Sequence, residues 1–182
     1  MNSVHRWALI LAWVALSAVI APAQTPPSAD EVLQEAMKTA KAEQKNVLVH
    51  FGASWCTWCK HLDEMLESAE VGGLFHDNYV ITHLTIQESP DKVALENPGA
   101  QELANSAGAQ GGGVPVYIFY NADGTRLATS MALPDGGNIG HPVTPEEIDA
   151  FDGLLAKTAP RLTTAQRKQI SDYLKKQKYS EP

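Results

Sequence analysis

The two cysteines of this 182-residue chain, Cys56 and Cys59, form a C-x-x-C motif between two different structural patterns. Before the motif, the run from Val47 to Val49 is apolar and β-branched at both ends, which predicts a short buried strand that Gly52 interrupts. After it, apolar residues fall on one side of a helical pattern, which predicts a helix beginning near Cys56. The motif is therefore expected at a strand-to-helix junction.

Helical and strand patterns alternate along the rest of the chain, and capping boxes (Ser28/Glu31, Thr144/Glu147 and Thr163/Gln166) mark three helix starts. The pattern suggests an α/β fold, with a central mixed β-sheet and helices on both of its faces. The predicted helices follow Ser28, begin near Cys56, cover 68–76 and 100–107, run from Thr144 to about Leu155, and follow Thr163. The predicted strands cover 46–51, 78–86, 116–120 and a returning strand after the NADG turn.

Residues 1–23 are predicted to be a secretory signal peptide. A basic start at His5 and Arg6 precedes an apolar run from Trp7 to Ile20 and the small-x-small sequence Ala21-Pro22-Ala23. An uncleaved membrane anchor is the alternative, but the run is shorter than the roughly 20 residues that span a bilayer. The expected location is the periplasm or the extracellular space.

The net charge of −7 disfavours a nucleic-acid-binding protein, which normally carries a basic patch. Lysines do cluster near the C-terminus, at positions 175, 176 and 178, but a solvated helix face is the simpler interpretation.

Three other uses of the cysteine pair are disfavoured. A crosslink across C-x-x-C closes a very short loop and stabilises little. A c-type haem site needs C-x-x-C-H, but residue 60 is lysine and the histidine comes one position later, at His61. Zinc held by both cysteines and two histidines would normally show a second ligand pair at finger spacing, which is absent from the sequence. The sequence predicts no cofactor and no metal.

The segments VLVHFGASWCTWCKHL and GGGVPVYIFYNADG, in this order, resemble the thioredoxin superfamily. The chain is most similar to exported bacterial thioredoxin-like thiol:disulfide interchange proteins, over roughly residues 29–155. The resemblance implies a thioredoxin-like fold for residues 24–160. Residues 161–182 are then a C-terminal extension with one extra helix.

Beside the resemblance, a helix that begins near Cys56 implies unequal roles for the two cysteines. At the start of a helix, Cys56 is expected to be an exposed nucleophile, because unpaired N–H groups and the helix dipole stabilise its thiolate, with Lys60 as a minor helper. Cys59, tucked beneath it, is the expected resolving thiol. Trp55 is expected to shield the pair and Thr57–Trp58 to tune its potential, although both tryptophans could simply pack on the surface.

Pro115 is the third expected catalytic residue, again because of the resemblance. It implies a cis proline that faces the cysteines, preceded by Val114, whose backbone would pair with a substrate chain. Sequence alone shows only a proline that opens a strand. Gly111 to Gly113 would let a partner's backbone approach, or form a flexible loop.

The sequence departs from the family at two histidines. Six residues before the first cysteine, thioredoxins usually carry a buried carboxylate that assists proton transfer, but this chain has His50. The interior lysine that often pairs with the carboxylate is replaced by His83. Either both are satisfied core histidines, or His50 accepts a proton from Cys59.

The expected activity is thiol:disulfide exchange on extracytoplasmic protein disulfides, in the reducing direction. A thioredoxin-like binding module without redox turnover is the alternative. The expected partners are proteins with disulfides or thiols, apocytochromes among them, and a membrane or soluble dithiol reductant. No nucleic acid is expected, and a monomer is expected because no dimerisation module is recognisable.

Overall fold

Three helices begin where the sequence places capping boxes, at Ser28, Thr144 and Thr163. The computed structural model describes residues 25–178, so the predicted signal peptide lies outside the described residues. The helices are α1 (Ala29–Glu43), α2 (Thr57–Leu66), α3 (Gly72–His76), α4 (Ala100–Ser106), α5 (Pro145–Thr158) and α6 (Thr164–Lys176). The strands are β1 (Asn46–Gly52), β2 (Tyr79–Thr85), β3 (Val116–Tyr120) and β4 (Arg126–Thr129).

The four strands form one mixed sheet in the order β2-β1-β3-β4. β1 pairs in parallel with β2 and antiparallel with β3, and β3 pairs antiparallel with β4. Every residue of β3 is buried, as are the inner residues of β1, because helices cover both faces of the sheet. The predicted mixed α/β fold is confirmed.

Side chains alternate between the two faces of a strand, so Leu48 and its neighbours Val47 and Val49 enter different apolar layers. The first layer lies under α2, α3, α5 and α6, and the second under α1 and α4. Ile170 and Leu174 of α6 are buried in the first layer, so the C-terminal extension packs on the domain.

The structure corrects some predicted boundaries. The helical piece expected over 68–76 begins only at Gly72, and the helix expected to end near Leu155 continues to Thr158. The polar stretch 87–98 contains a short 3-10 helix, Val93–Leu95. In the part of the chain that the structure describes, no helix combines the length and apolar character of a membrane span.

Candidate functional site

Cys56 and Cys59 are joined by a disulfide at the N-terminus of α2. The backbone N–H of Cys56 donates to the carbonyl oxygen of Ala53, which turns the chain after β1 into the helix. Cys56 is the N-cap residue, and its Sγ accepts a hydrogen bond from the backbone N–H of Cys59 at 3.0 Å. On reduction, a Cys56 thiolate at this position would be stabilised by that donor and by the positive end of the helix dipole.

The prediction that Cys56 is exposed and Cys59 is buried is wrong for this disulfide form. Cys56 is 2% exposed and Cys59 is 4% exposed. Ala53 and the partly buried side chains of Trp58 and Val114 pack around the pair and cover Cys56 as well as Cys59. A partner therefore has to reach the sulfur of Cys56 past Val114 and Trp58.

Val114 and Pro115 lie where the resemblance predicts. The Val114–Pro115 peptide bond is cis, which confirms the predicted isomer. The carbonyl oxygen of Val114 is 3.5 Å from Sγ of Cys56. Beside them, Gly111 and Gly113 have open space where a Cβ would project, so a second backbone meets no side chain at these two positions.

The two tryptophans of the motif have different surroundings. Trp55 is exposed, and its indole N–H donates to the carbonyl oxygen of Gln87 at 2.7 Å. Trp58 is partly buried and stacks on His141, with 6.2 Å between ring centroids, and also contacts His61 edge-on. Trp58 therefore belongs to a ring cluster beside the disulfide, whereas Trp55 is fixed at the surface.

Thr57 and Lys60 lie in the first turn of α2, and both side chains are exposed. Their predicted effects on the potential of the disulfide and on the Cys56 thiolate stay predictions.

Glu88 holds the loop in front of the motif and was not singled out from the sequence. Its carboxylate accepts the backbone N–H of Ser54 at 2.6 Å and the Ser54 hydroxyl at 2.8 Å. The hydrogen bond from the Ser54 backbone, helped by the nearby Lys92, lowers the pKa of Glu88. The sequence did not reveal this contact because Ser54 and Glu88 are far apart in the chain. A carboxylate that follows a strand also has no recognisable sequence signature by itself.

His50 and His83 are neighbours because the parallel register pairs them across β1 and β2. Nδ1 of His50 lies 2.9 Å from Oδ1 of Asp63 and 3.1 Å from Nδ1 of His83. The interpretation of His83 as a core histidine is wrong, because β2 is at the sheet edge and its side chain is 53% exposed. Partial burial and the neighbouring His50 lower the pKa of His83.

His50 is buried, but its hydrogen bonding is incomplete. Nε2 of His50 has no hydrogen-bond partner among the described residues. A Cβ added to Gly52 would lie 3.3 Å from this Nε2 and 3.2 Å from Sγ of Cys59, so both atoms face the small space that the glycine leaves. His50 is thus not a fully satisfied core residue, and its free nitrogen faces the same space as the resolving cysteine.

A cavity of about 400 Å³ opens beside these groups. Its lining includes His50, Cys59, Asp63, His83 and Glu88. Because Cys59 is among the lining residues, the cavity borders the inner side of the disulfide.

A C-x-x-C disulfide at a helix start, with a cis valine–proline bond beside it before a central strand of a mixed sheet, is typical of a thioredoxin-like protein. The family model described as "Thioredoxin-like" matches residues 29–122, and the chain belongs to this family. The predicted membership of the thioredoxin superfamily is therefore confirmed.

Spermatogenesis-associated protein 20 of Rattus norvegicus is 31% identical over 87 residues, which are 47% of this chain and 10% of that protein. Its Mus musculus counterpart is 30% identical over the same length. The chain thus matches about a tenth of the length of these curated relatives. Among solved structures, a disulphide isomerase from Xylella fastidiosa Temecula1 has 20% identity and a TM-score of 0.48, with 86% of this chain and 96% of that chain covered.

Proposed function

We propose that this protein is a thiol:disulfide oxidoreductase that acts on extracytoplasmic protein disulfides, in the reducing direction, through Cys56 and Cys59. The observation that carries the proposal is the hydrogen bond from the backbone N–H of Cys59 to Sγ of Cys56 at the start of α2. This contact marks one sulfur of the pair as the better thiolate, which is what a nucleophilic exchange needs.

The proposed reaction moves two electrons from the dithiol to the substrate. The Cys56 thiolate attacks one sulfur of the substrate disulfide, so a mixed disulfide forms and the other substrate sulfur leaves as a thiolate that takes up a proton. Cys59 loses its proton and attacks Sγ of Cys56, which releases the second substrate thiol and leaves the Cys56–Cys59 disulfide. A dithiol reductant, membrane-bound or soluble, then reduces the disulfide for the next cycle.

Two neighbouring groups support these steps. The cis Val114–Pro115 segment lies against Cys56 and has the open Gly111 and Gly113 beside it, so an extended substrate segment could pair with the Val114 backbone. His50 presents Nε2 to the space next to Cys59, where it could accept the proton of the resolving thiol.

The reducing direction is supported by the small number of groups that are placed to stabilise a Cys56 thiolate. A strong oxidant needs a strongly stabilised reduced form. Besides the positive end of the helix dipole, a single backbone N–H donates to Sγ of Cys56 in the described structure, and Lys60 is exposed to solvent, where its charge is screened.

Equilibration of the protein with glutathione buffers tests the direction. We expect a potential below about −200 mV, together with reduction of the disulfides of insulin when a dithiol supplies electrons. A potential near about −120 mV, like that of strong oxidants, would overturn the reducing direction but not the exchange chemistry.

The proposed extracytoplasmic location has its own test. Protein recovered from its native host should begin at Gln24 or within a residue or two of it, because the cleavage signal ends at Ala23. An intact Met1 on a cytosolic protein would contradict the location and leave the redox chemistry untouched.

A thioredoxin-like binding module is the second candidate, and the burial of both sulfurs is the observation that favours it. Failure to reduce insulin, with the disulfide itself fully reducible by dithiothreitol, would make the binding module the better explanation.

A further inference from the structure

Three side chains from three different elements converge beside the disulfide: His50 of β1, Asp63 of α2 and His83 of β2. We call them the histidine–aspartate cluster. Nδ1 of His50 is 2.9 Å from Oδ1 of Asp63, the two Nδ1 atoms are 3.1 Å apart, and Nδ1 of His83 is 3.6 Å from the same Oδ1. The ring centroids of the histidines are 5.1 Å apart, so the two nitrogens lie on the near sides of their rings.

Hydrogen bonding alone satisfies this arrangement only in part. Nδ1 of His50 carries either one hydrogen or one lone pair, yet it faces both a carboxylate oxygen and a second ring nitrogen. If its hydrogen goes to Asp63, the lone pair of His83 receives at most a share of that same hydrogen, and a hydrogen on Nδ1 of His83 would have no acceptor at His50. The remaining separation of 3.6 Å, between His83 and Asp63, is too long for a hydrogen bond.

We propose that His50, Asp63 and His83 bind a divalent transition-metal cation of the zinc class, through Nδ1, Oδ1 and Nδ1. At zinc–ligand distances of about 2.0–2.1 Å, tetrahedral ligand atoms lie roughly 3.3 Å from one another. The three observed separations, 2.9, 3.1 and 3.6 Å, lie on either side of this value. Imidazole nitrogens and one carboxylate are also the donors that zinc, nickel and cobalt accept.

The exposure of the three ligands suits a site from which the bound cation can exchange with solvent. His50 is buried and fixes one ligand, whereas the side chains of Asp63 and His83 are 43% and 53% exposed. The adjacent cavity, which all three residues line, would admit the cation and a water molecule as fourth ligand. Three protein ligands plus water are typical of open zinc sites rather than of closed structural ones.

The proposed site uses neither cysteine sulfur, so it does not depend on the proposed redox function and differs from a thiolate zinc site. It does connect the cation to the disulfide. A cation on Nδ1 of His50 leaves the ring hydrogen on Nε2, the nitrogen that faces the space next to Cys59. Occupation of the site would therefore remove the proton-accepting form of His50.

Zinc binding by the oxidised chain tests the proposal, because the closed disulfide leaves no thiolate to compete. Chelator-treated wild-type protein should bind one Zn²⁺ per chain in a calorimetric titration. His83→Ala and Asp63→Asn should each weaken binding at least about tenfold, since the first removes one of three ligands and the second replaces a carboxylate by a neutral amide oxygen. The matched control is His76→Ala: His76 is 47% exposed and also contacts a carboxylate, that of Glu67, but lies outside the cluster.

Nitrogen-15 spectra of the histidines give a readout that does not depend on affinity. On addition of Zn²⁺, the Nδ1 signals of His50 and His83 should shift and the hydrogen of His50 should be on Nε2. Three results would overturn the proposal: no stoichiometric binding by the oxidised protein, equal loss of binding in His76→Ala and His83→Ala, or zinc binding that appears only after the disulfide is reduced.

Discussion

The backbone N–H of Cys59 donates a hydrogen bond to Sγ of Cys56 at 3.0 Å, and this contact distinguishes two sulfurs that are otherwise equally buried. It favours the thiolate of Cys56. Lowering a thiol pKa from about 8.5 to about 7 raises the thiolate fraction at neutral pH by roughly fifteenfold.

Cysteine replacement should therefore give unequal trapping. Cys59→Ser leaves the nucleophile without its resolving partner and should accumulate mixed disulfides with natural partners, at least about tenfold more than Cys56→Ser. Acid quenching followed by non-reducing electrophoresis and mass spectrometry measures the complexes. Equal trapping by the two matched variants would contradict the assignment of roles.

Gly52→Ala should destabilise the oxidised protein by about 1–3 kcal/mol. The new Cβ would lie 3.2 Å from Sγ of Cys59 and 3.3 Å from Nε2 of His50, and both of these residues are buried. Denaturant unfolding of the oxidised protein measures the change.

Gly153→Ala is the matched control for this substitution. Gly153 lies within α5 and has open space where a Cβ would project, so alanine should stabilise the protein by about 0.5–1 kcal/mol. Stabilisation of Gly52→Ala, as in Gly153→Ala, would contradict the tight contact at Gly52.

Local signals predicted most of the fold. Capping boxes located three helix starts, and apolar runs located β1 and β3, because these depend on residues close together in the chain. The cis bond at Pro115 was predicted from the family resemblance and not from the local sequence.

The rest of the site depends on long-range packing that one sequence does not reveal. Val114 covers Cys56 from 58 positions along the chain, which is why the predicted exposure of Cys56 was wrong. The contact of His83 with His50 requires the parallel register of β1 and β2. Asp63 contacts His50 only because α2 packs against the sheet with this residue turned toward β1.

The C-terminal helix should contribute to the stability of the whole domain. Ile170 is fully buried in the first apolar layer, so Ile170→Ala should lower the free energy of unfolding by about 2–4 kcal/mol. Lys175→Ala, at an exposed position of the same helix, should change it by less than about 0.5 kcal/mol. A loss below about 1 kcal/mol for Ile170→Ala would show that α6 is not part of the cooperative core.

Acid should destabilise the protein through His141, which is buried beside Trp58. Burial, with a smaller contribution from His61, lowers the pKa of His141 to about 4. In the unfolded chain its pKa is about 6.5, so between these values the unfolded state binds more protons and stability falls as the pH falls. The loss begins near pH 6.5 and stops below about pH 4.

His141→Phe keeps an aromatic ring against Trp58 and removes the titrating group. Between pH 7 and pH 4.5, the wild type should lose about 2 kcal/mol more stability than the variant, as measured by denaturant unfolding at both pH values. Comparing the two losses, rather than the stabilities themselves, cancels any change in packing that phenylalanine introduces at neutral pH. If both proteins lose the same amount, His141 titrates alike in the folded and unfolded states, and its burial beside the disulfide does not limit stability in acid.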